Sequence, residues 1–368
     1  LLLGGITGAY WLQSNARAKA IELLEERFDD VALASLDFQI RPQLDPLPVF
    51  SATGEGLSLS LEDRDGAPPF LEMRRFAVSI GLMDLLADPV RIKRLDLDYM
   101  SIEISPRHDG RRADDSGSSF QHEIPVFVVQ KLVADGAVLR IHSKNPDKEP
   151  LEFELHELRM ETVGPESPMS FEALLDNATP PGLIETKGIF GPLTLPDPGA
   201  SPVSGEYLFE EADLSVFGGI GGTLHSQGKY SGILERIAVE GYTEVPDFHL
   251  KQVGTSVSLR TDFSAVVDGT SGDTFLEPVD VQIEDSRFKA TGAVAKKPGK
   301  SGKTVELDAR GAHARIEDFL KLAVKSQQPL LTGELLFESR ILIPSGKMDI
   351  LEKLYLEGRF EIQSTEFP

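Results

Sequence analysis

In the stretch Val257 to Val267, VSLRTDFSAVV, the residues alternate: Val257, Leu259, Thr261, Phe263, Ala265 and Val267 fall on one side, with Ser258, Arg260, Asp262 and Ser264 on the other. Successive side chains of an extended strand point to opposite faces, so this pattern predicts a strand with one dry face and one wet face. The same grammar recurs outward from it. Leu151, Phe153 and Leu155 alternate with Glu152, Glu154 and His156; Val305, Leu307 and Ala309 form another run, as do Leu335, Phe337, Ser339, Ile341 and Ile343. Between Val90 and Ser105 the apolar phase shifts twice, from Val90 and Ile92 to Leu95, Leu97 and Tyr99, then to Met100, Ile102 and Ile104. Each shift predicts a bulge or bend in a long strand.

Helical patterns are few. Leu82 to Leu86 forms a short piece before Asp88-Pro89, and Ile316, Phe319, Leu320, Ala323 and Val324 make one apolar helical face. Glu317 and Asp318 stand early in that helix and Lys321 and Lys325 late, as the helix dipole favours. Loops are marked by HDGRRADDSGSS (108–119), PLTLPDPGASP (192–202) and KKPGKSGK (296–303). No sharp linker divides the strand pattern. The expected architecture is mainly β: an elongated, curved antiparallel sheet forming a groove or a partly closed, barrel-like taco, because twisted sheets of many strands must curl or split. The strand-rich body is expected in two stretches, 42–191 and 203–368.

The first twelve residues, LLLGGITGAYWL, carry no charge. Leu1, Leu2, Leu3, Ile6 and Leu12 supply the apolar surface, and Tyr10 and Trp11 stand where an interfacial aromatic belt sits, just before Gln13, Ser14 and Asn15. Twelve helical residues rise only about 18 Å, against a bilayer core of about 30 Å. Residues 1–12 therefore read as the back half of a transmembrane anchor, or alternatively as a terminal helix packed on the body. A helical stalk is expected over 13–41, with Ala18, Ile21, Leu24 and Phe28 on one face, until Pro42, Pro46 and Pro48 forbid helix.

Composition narrows the chemistry. The 368 residues carry a formal net charge of -22, which disfavours nucleic acid or an anionic surface as the main ligand. With no cysteine there is no disulfide, no zinc–thiolate site and no thiol nucleophile. Twenty Phe against six Tyr and one Trp place most rings in surroundings without polar partners. The seven histidines, His108, His122, His142, His156, His225, His249 and His313, lack metal-ligand spacing, and no nucleophile elbow is present. The glycine-rich FGGIGGTLHSQGKY (217–230) lacks both phosphate-loop patterns, so its glycines are read as turns or close strand approach. No catalytic residue, metal or cofactor is expected. A glycan-cleaving enzyme would need two carboxylates facing each other at about 5 to 9.5 Å, and adjacent acids such as Glu210-Glu211 face opposite ways along a strand.

The dry face then decides function. Covered by a second layer it is an ordinary core; left open on a curved sheet it is a groove for acyl chains. The candidate lining residues are Leu95, Leu97, Leu151, Phe153, Leu155, Val257, Leu259, Phe263, Val305, Leu307, Leu335 and Phe337.

Two segments carry a resemblance. MRRFAVSIGLMDLLADPVRIKRLDLDYMSIEI (73–104) is similar to a segment of the bacterial AsmA-like family, in which a strand leads to a short Leu-Leu helix, a turn and a long strand. From Phe217 to Phe367, GTLHSQGKYSGILERIAVEGYTEVPDFHL, FSAVVDGTSGDTFLEPVDV, ARIEDFLKLAV, QPLLTGELLFESRILIPSG and LYLEGRFEIQSTEF resemble the family's repeated β unit. Together these span about half the chain. The resemblance, which extends to the related TamB and YhdP, implies a protein anchored in the bacterial inner membrane by a single pass. Its bulk would lie in the periplasm, with a β groove that binds or conducts phospholipid acyl chains for outer-membrane biogenesis. It implies no catalytic residues, and 368 residues suit a fragment of such a bridge. The alternative expectation is a non-enzymatic assembly factor that recruits other envelope proteins.

Overall fold

The computed structural model describes residues 30–32, 35–41, 49–60, 69, 71–85, 87, 89–104, 127–142, 150–164, 167–194, 197–251, 253–297, 302–326, 328–346 and 348–367. They are mainly β, with three short α-helices and two 3-10 turns. The described chain forms two compact units. The first takes residues up to Leu175 together with Lys187–Pro202, and the second takes Asp176–Thr186 and everything from Val203.

The first unit contains β1 (Asp30–Ala32), β2 (Ser35–Arg41), β3 (Val49–Ser60), β4 (Leu71–Gly81), helix α1 (Leu82–Leu85), β5 (Val90–Ile92), β6 (Arg94–Ile104), β7 (Phe127–Ile141) and β8 (Leu151–Val163). Pairing is antiparallel for β1 and β2 with β3, β3 with β4, β4 with β6, and β7 with β8. Lateral partners share a face, so the registers generate rows across the sheet. One runs Ala52, Val78, Leu95, Leu132, Met160, and the next Gly54, Phe76, Leu97, Ala134, Leu158. Further along come Leu57, Met73, Met100, Ala137, Leu155 and then Leu59, Leu71, Ile102, Leu139, Phe153.

Between the second and third rows every strand advances three residues instead of two. Gly56 (φ +67°), Tyr99 (φ +61°) and Gly136 (φ +79°) occupy the extra position on β3, β6 and β7. A left-handed residue in each of these strands keeps Leu97 and Met100 on the same side of the sheet, and both are buried. This crease is the second of the phase shifts seen between Val90 and Ser105. The first is a break: Lys93 separates β5 from β6, and its amide donates to Ser79 O at 2.9 Å.

Strands β9 (Met169–Ala178), β10 (Pro181–Phe190) and β11 (Pro202–Asp213) carry the chain from one unit to the other. The second unit continues with β12 (Ile220–Gly221), β13 (Thr223–Ile233), β14 (Arg236–Leu250), β15 (Val257–Val267), β16 (Thr274–Ile283), β17 (Ser286–Lys296), β18 (Lys303–Arg315), helix α2 (Ile316–Ala323), β19 (Thr332–Ile343), helix α3 (Ile350–Lys353) and β20 (Tyr355–Glu366). From β13 to β20 each strand pairs antiparallel with the next, an uninterrupted meander.

Two expectations need correction. The sheet is not wholly antiparallel, because β5 and β6 both run parallel to β7. A parallel pair needs a long connection, and the 22 residues between Ile104 and Phe127 are enough for one. The helical stalk over 13–41 does not reach Arg41, because Asp30–Ala32 and Ser35–Arg41 are strands. In SLDFQIR the residues Leu36, Phe38 and Ile40 alternate with polar neighbours, and β2 pairs with β3 along its whole length. The expected anchor at 1–12 and the rest of the stalk lie outside the described residues. No helix among the described residues is long and apolar enough to cross a membrane.

Candidate functional site

Rows of lateral partners build the inner face of the second unit, so called because it is the face on which helix α2 packs. The first runs Ile237, Val267, Thr274, Val294, Val305, Ile343 across β14 to β19, and the second Val239, Ala265, Leu276, Gly292, Leu307, Ile341, Leu356 across β14 to β20. The third is small, with Ala290, Ala309, Ser339 and Gly358 side by side. The bulge between Leu276 and Val279 sets Glu277 and Pro278 together on the exposed side and so preserves this face along β16.

Helix α2 sits over one end of the face. Its Phe319 ring packs against Phe288 (centroids 6.0 Å) and Phe337 (5.7 Å), and Phe337 meets Phe288 edge-on at 5.4 Å. With Ile316 these rings close over Ala290, Ala309, Ala314 and Leu335. Polar clamps fix the helix. Ser286 Oγ donates to Asp318 Oδ2 at 2.8 Å, and that carboxylate is only 2% exposed. Glu317 accepts from Arg315 Nε at 2.7 Å and from the Gly333 amide at 3.3 Å. At the other end of the helix the Thr255 amide donates to Lys321 O at 2.6 Å. Burial pushes the Glu317 carboxyl up, but hydrogen bonds from its own amide, Arg315 and Gly333 outweigh that and hold it below the ordinary range.

The opposite end of the face keeps its apolar side chains half-buried: Val305, Leu307, Ile343, Leu276 and Val239 all retain exposed area, and Ile341 packs half-buried against the margin of the sealed cluster. Toward β11 and β13 the face turns polar, but its hydroxyl protons are consumed internally. Ser226 Oγ donates to Tyr242 O (3.0 Å), so its lone pairs receive Tyr207 OH and Thr243 Oγ1, each at 3.1 Å. Thr186 Oγ1 donates to Glu206 O (3.0 Å) and must accept from Tyr230 OH at 2.7 Å. Burial raises both tyrosine hydroxyls, which stay protonated. None of these five hydroxyls has a proton left for a phosphate or carboxylate ligand, so what this face offers is apolar surface.

The candidate lining residues separate by position. Leu259, Phe263, Val305 and Leu307 are half-buried on the inner face of the second unit. Val257 (1% exposed), Leu335 (4%) and Phe337 are sealed, the latter two within the cluster that α2 covers, and belong to the core. In the first unit Leu95 and Leu97 are buried in their rows, while Leu151, Phe153 and Leu155 line β8 half-buried on the same face. The candidate set omitted Ile237, Val239, Leu276 and Val294. The alternation of RIAVEGY marks the first two, whereas the bulge at Glu277-Pro278 breaks the period that would have flagged Leu276.

The glycines of 217–230 do serve turns and close approach. Gly218 and Gly219 take φ +65° and +72°, and a Cβ on Gly228 would stand 2.9 Å from the Tyr207 ring. Among the described residues no three His, Asp or Glu side chains are grouped to hold a metal ion. Comparison of the chain with protein-family models, with curated proteins and with solved structures finds no significant match.

Proposed function

We propose that the inner face of the second unit binds the acyl chains of phospholipids, in an AsmA-like protein anchored in the bacterial inner membrane with its bulk in the periplasm. The strands would curl into a groove whose dry side carries lipid toward the outer membrane. One observation supports this above others: the apolar rows extend from β14 to β19 or β20, yet α2 seals only the end at Leu335 and Phe337. Exposed apolar surface of this continuity calls for a partner, and the self-satisfied hydroxyls beside it leave an apolar ligand as the fitting one. The partial resemblance of 73–104 and 217–367 to the AsmA-like family points the same way.

Native mass spectrometry and lipid extraction of the gently purified chain test the reading. Phospholipid should co-purify, and Phe263→Asp should abolish its retention while the melting transition persists. An empty protein, or a variant that retains lipid, overturns it. The alternative of an envelope assembly factor gains from the exposed strand β20, and crosslinking in cells that recovers one dominant protein and no lipid would favour it.

A further inference from the structure

Strand β20 pairs with β19 along one edge, and among the described residues no strand pairs with its other edge. All twelve of its residues are exposed, including Leu356 (56%) and Phe360 (51%) on the inner face. A strand edge with free amides and carbonyls is a template for another strand.

We propose that this edge pairs antiparallel with β20 of a second copy of the chain, with the two-fold axis at Gly358. Charge selects that register. On the outer face the rows leading into β20 alternate in sign: Arg310, Glu338, Arg359 in one, and Asp308, Arg340, Glu357 in the other. The Arg310–Glu338 pair is made at 3.8 Å. Because side chains alternate with period two, a two-fold antiparallel pair must be centred on a residue, or apolar side chains would face polar ones. Centring on Arg359 sets Arg359 against itself and Glu357 against Glu361, and centring on Glu357 or Glu361 sets that carboxylate against itself.

Centring on Gly358 places Arg359 of each copy opposite Glu357 of the other. The rows then join into one of alternating sign across six strands: Arg310, Glu338, Arg359, followed by the second copy's Glu357, Arg340 and Asp308. On the inner face the same register sets Leu356 opposite Phe360, twice, flanking the paired glycines. It also uses residues 355–361 only, ahead of the irregularity at Ser364 (φ +53°). Centring on Phe360 gives Arg359 to Glu361 but leaves Glu357 opposite Gln363, which ends the alternation.

Sedimentation velocity of the full chain in one detergent should show a dimer that dissociates on dilution and weakens as salt rises. Register is read by disulfide trapping in this cysteine-free chain. Mild oxidation of the double variant L356C/F360C should give a covalent dimer, while L356C and F360C alone should not. Two cysteines four residues apart on one strand are too distant to bridge within a copy. A chain monomeric at every concentration overturns the proposal, as does a dimer trapped by F360C alone or by neither variant; matching melts of the reduced variants exclude unfolding as the cause.

Discussion

The Phe337 ring lies over Gly311, its cross-strand partner: a Cβ at position 311 would stand 2.4 Å from Phe337 Cε1. The ring cannot move aside freely, because Phe288 and Phe319 hold it at centroid distances of 5.4 and 5.7 Å. Gly311→Ala should therefore overpack the sealed end and cost about 1–3 kcal/mol in denaturant unfolding. A neutral result would mean that the cluster is loosely packed. Phe337→Leu combined with Gly311→Ala should recover part of the loss.

Aspartate substitutions should sort the inner face into core and surface. Leu335 is sealed beneath α2, so Leu335→Asp buries an unpaired charge and should abolish the cooperative transition. Leu307 lies one row beyond the small row, half-buried, where water reaches the new carboxylate. Leu307→Asp should fold, with a loss of about 1–3 kcal/mol, and should lose bound lipid. Circular dichroism melts read side by side with lipid content separate the two. If both variants unfold, the face is a conventional core throughout.

The clamp at Glu317 makes stability depend on pH. Its folded pKa lies below the unfolded value of about 4.3, so its contribution is complete above that value and lost as pH falls through the folded pKa. Glu317→Gln keeps the shape and removes the charge. The difference in stability between parent and variant should be largest near neutrality, about 1–3 kcal/mol, and should shrink steadily once the pH drops below about 4. A difference that stays constant across the titration would show the carboxylate contributes through shape alone.

Proton accounting at Ser226 gives an asymmetric expectation. Tyr207→Phe removes one donor from an acceptor that still receives Thr243, and should cost about 0.5–1.5 kcal/mol. Ser226→Ala strips the acceptor from both Tyr207 and Thr243 and a donor from Tyr242 O, and should cost about 1–3 kcal/mol. Because the two changes share one bond, the double variant should be less destabilised than their sum.

How legible this was depended on range. Alternation around Phe263 and Leu307 marked strands and their faces correctly because a strand's side-chain period is local. The helix at Ile316 was visible for the same reason, with Glu317 and Asp318 opening it. The alternation Leu36, Phe38, Ile40 was equally local, but the preceding helical pattern and the prolines from Pro42 masked it. What the sequence left hidden is long-range: that β6 lies parallel to β7, and that Phe319 seals Leu335 while leaving Leu307 half-exposed. No local pattern distinguishes a sealed apolar residue from an open one on the same face.

The crease in the first unit offers the cleanest test of backbone strain. Gly136 sits at φ +79° with open space around it, since a Cβ there would meet nothing nearer than Tyr99 Cδ2 at 4.0 Å. Gly136→Ala therefore probes conformation rather than contact, and should cost about 1–2 kcal/mol from the left-handed penalty alone. Its neighbour Tyr99 already bears that penalty at φ +61°, and its ring accepts the Arg74 guanidinium at 4.7 Å. Tyr99→Gly should relieve the strain but forfeit the ring contact, leaving a net change within about 1 kcal/mol. If Gly136→Ala is neutral while Tyr99→Gly is strongly destabilising, the crease is held by side chains and not by the left-handed residues.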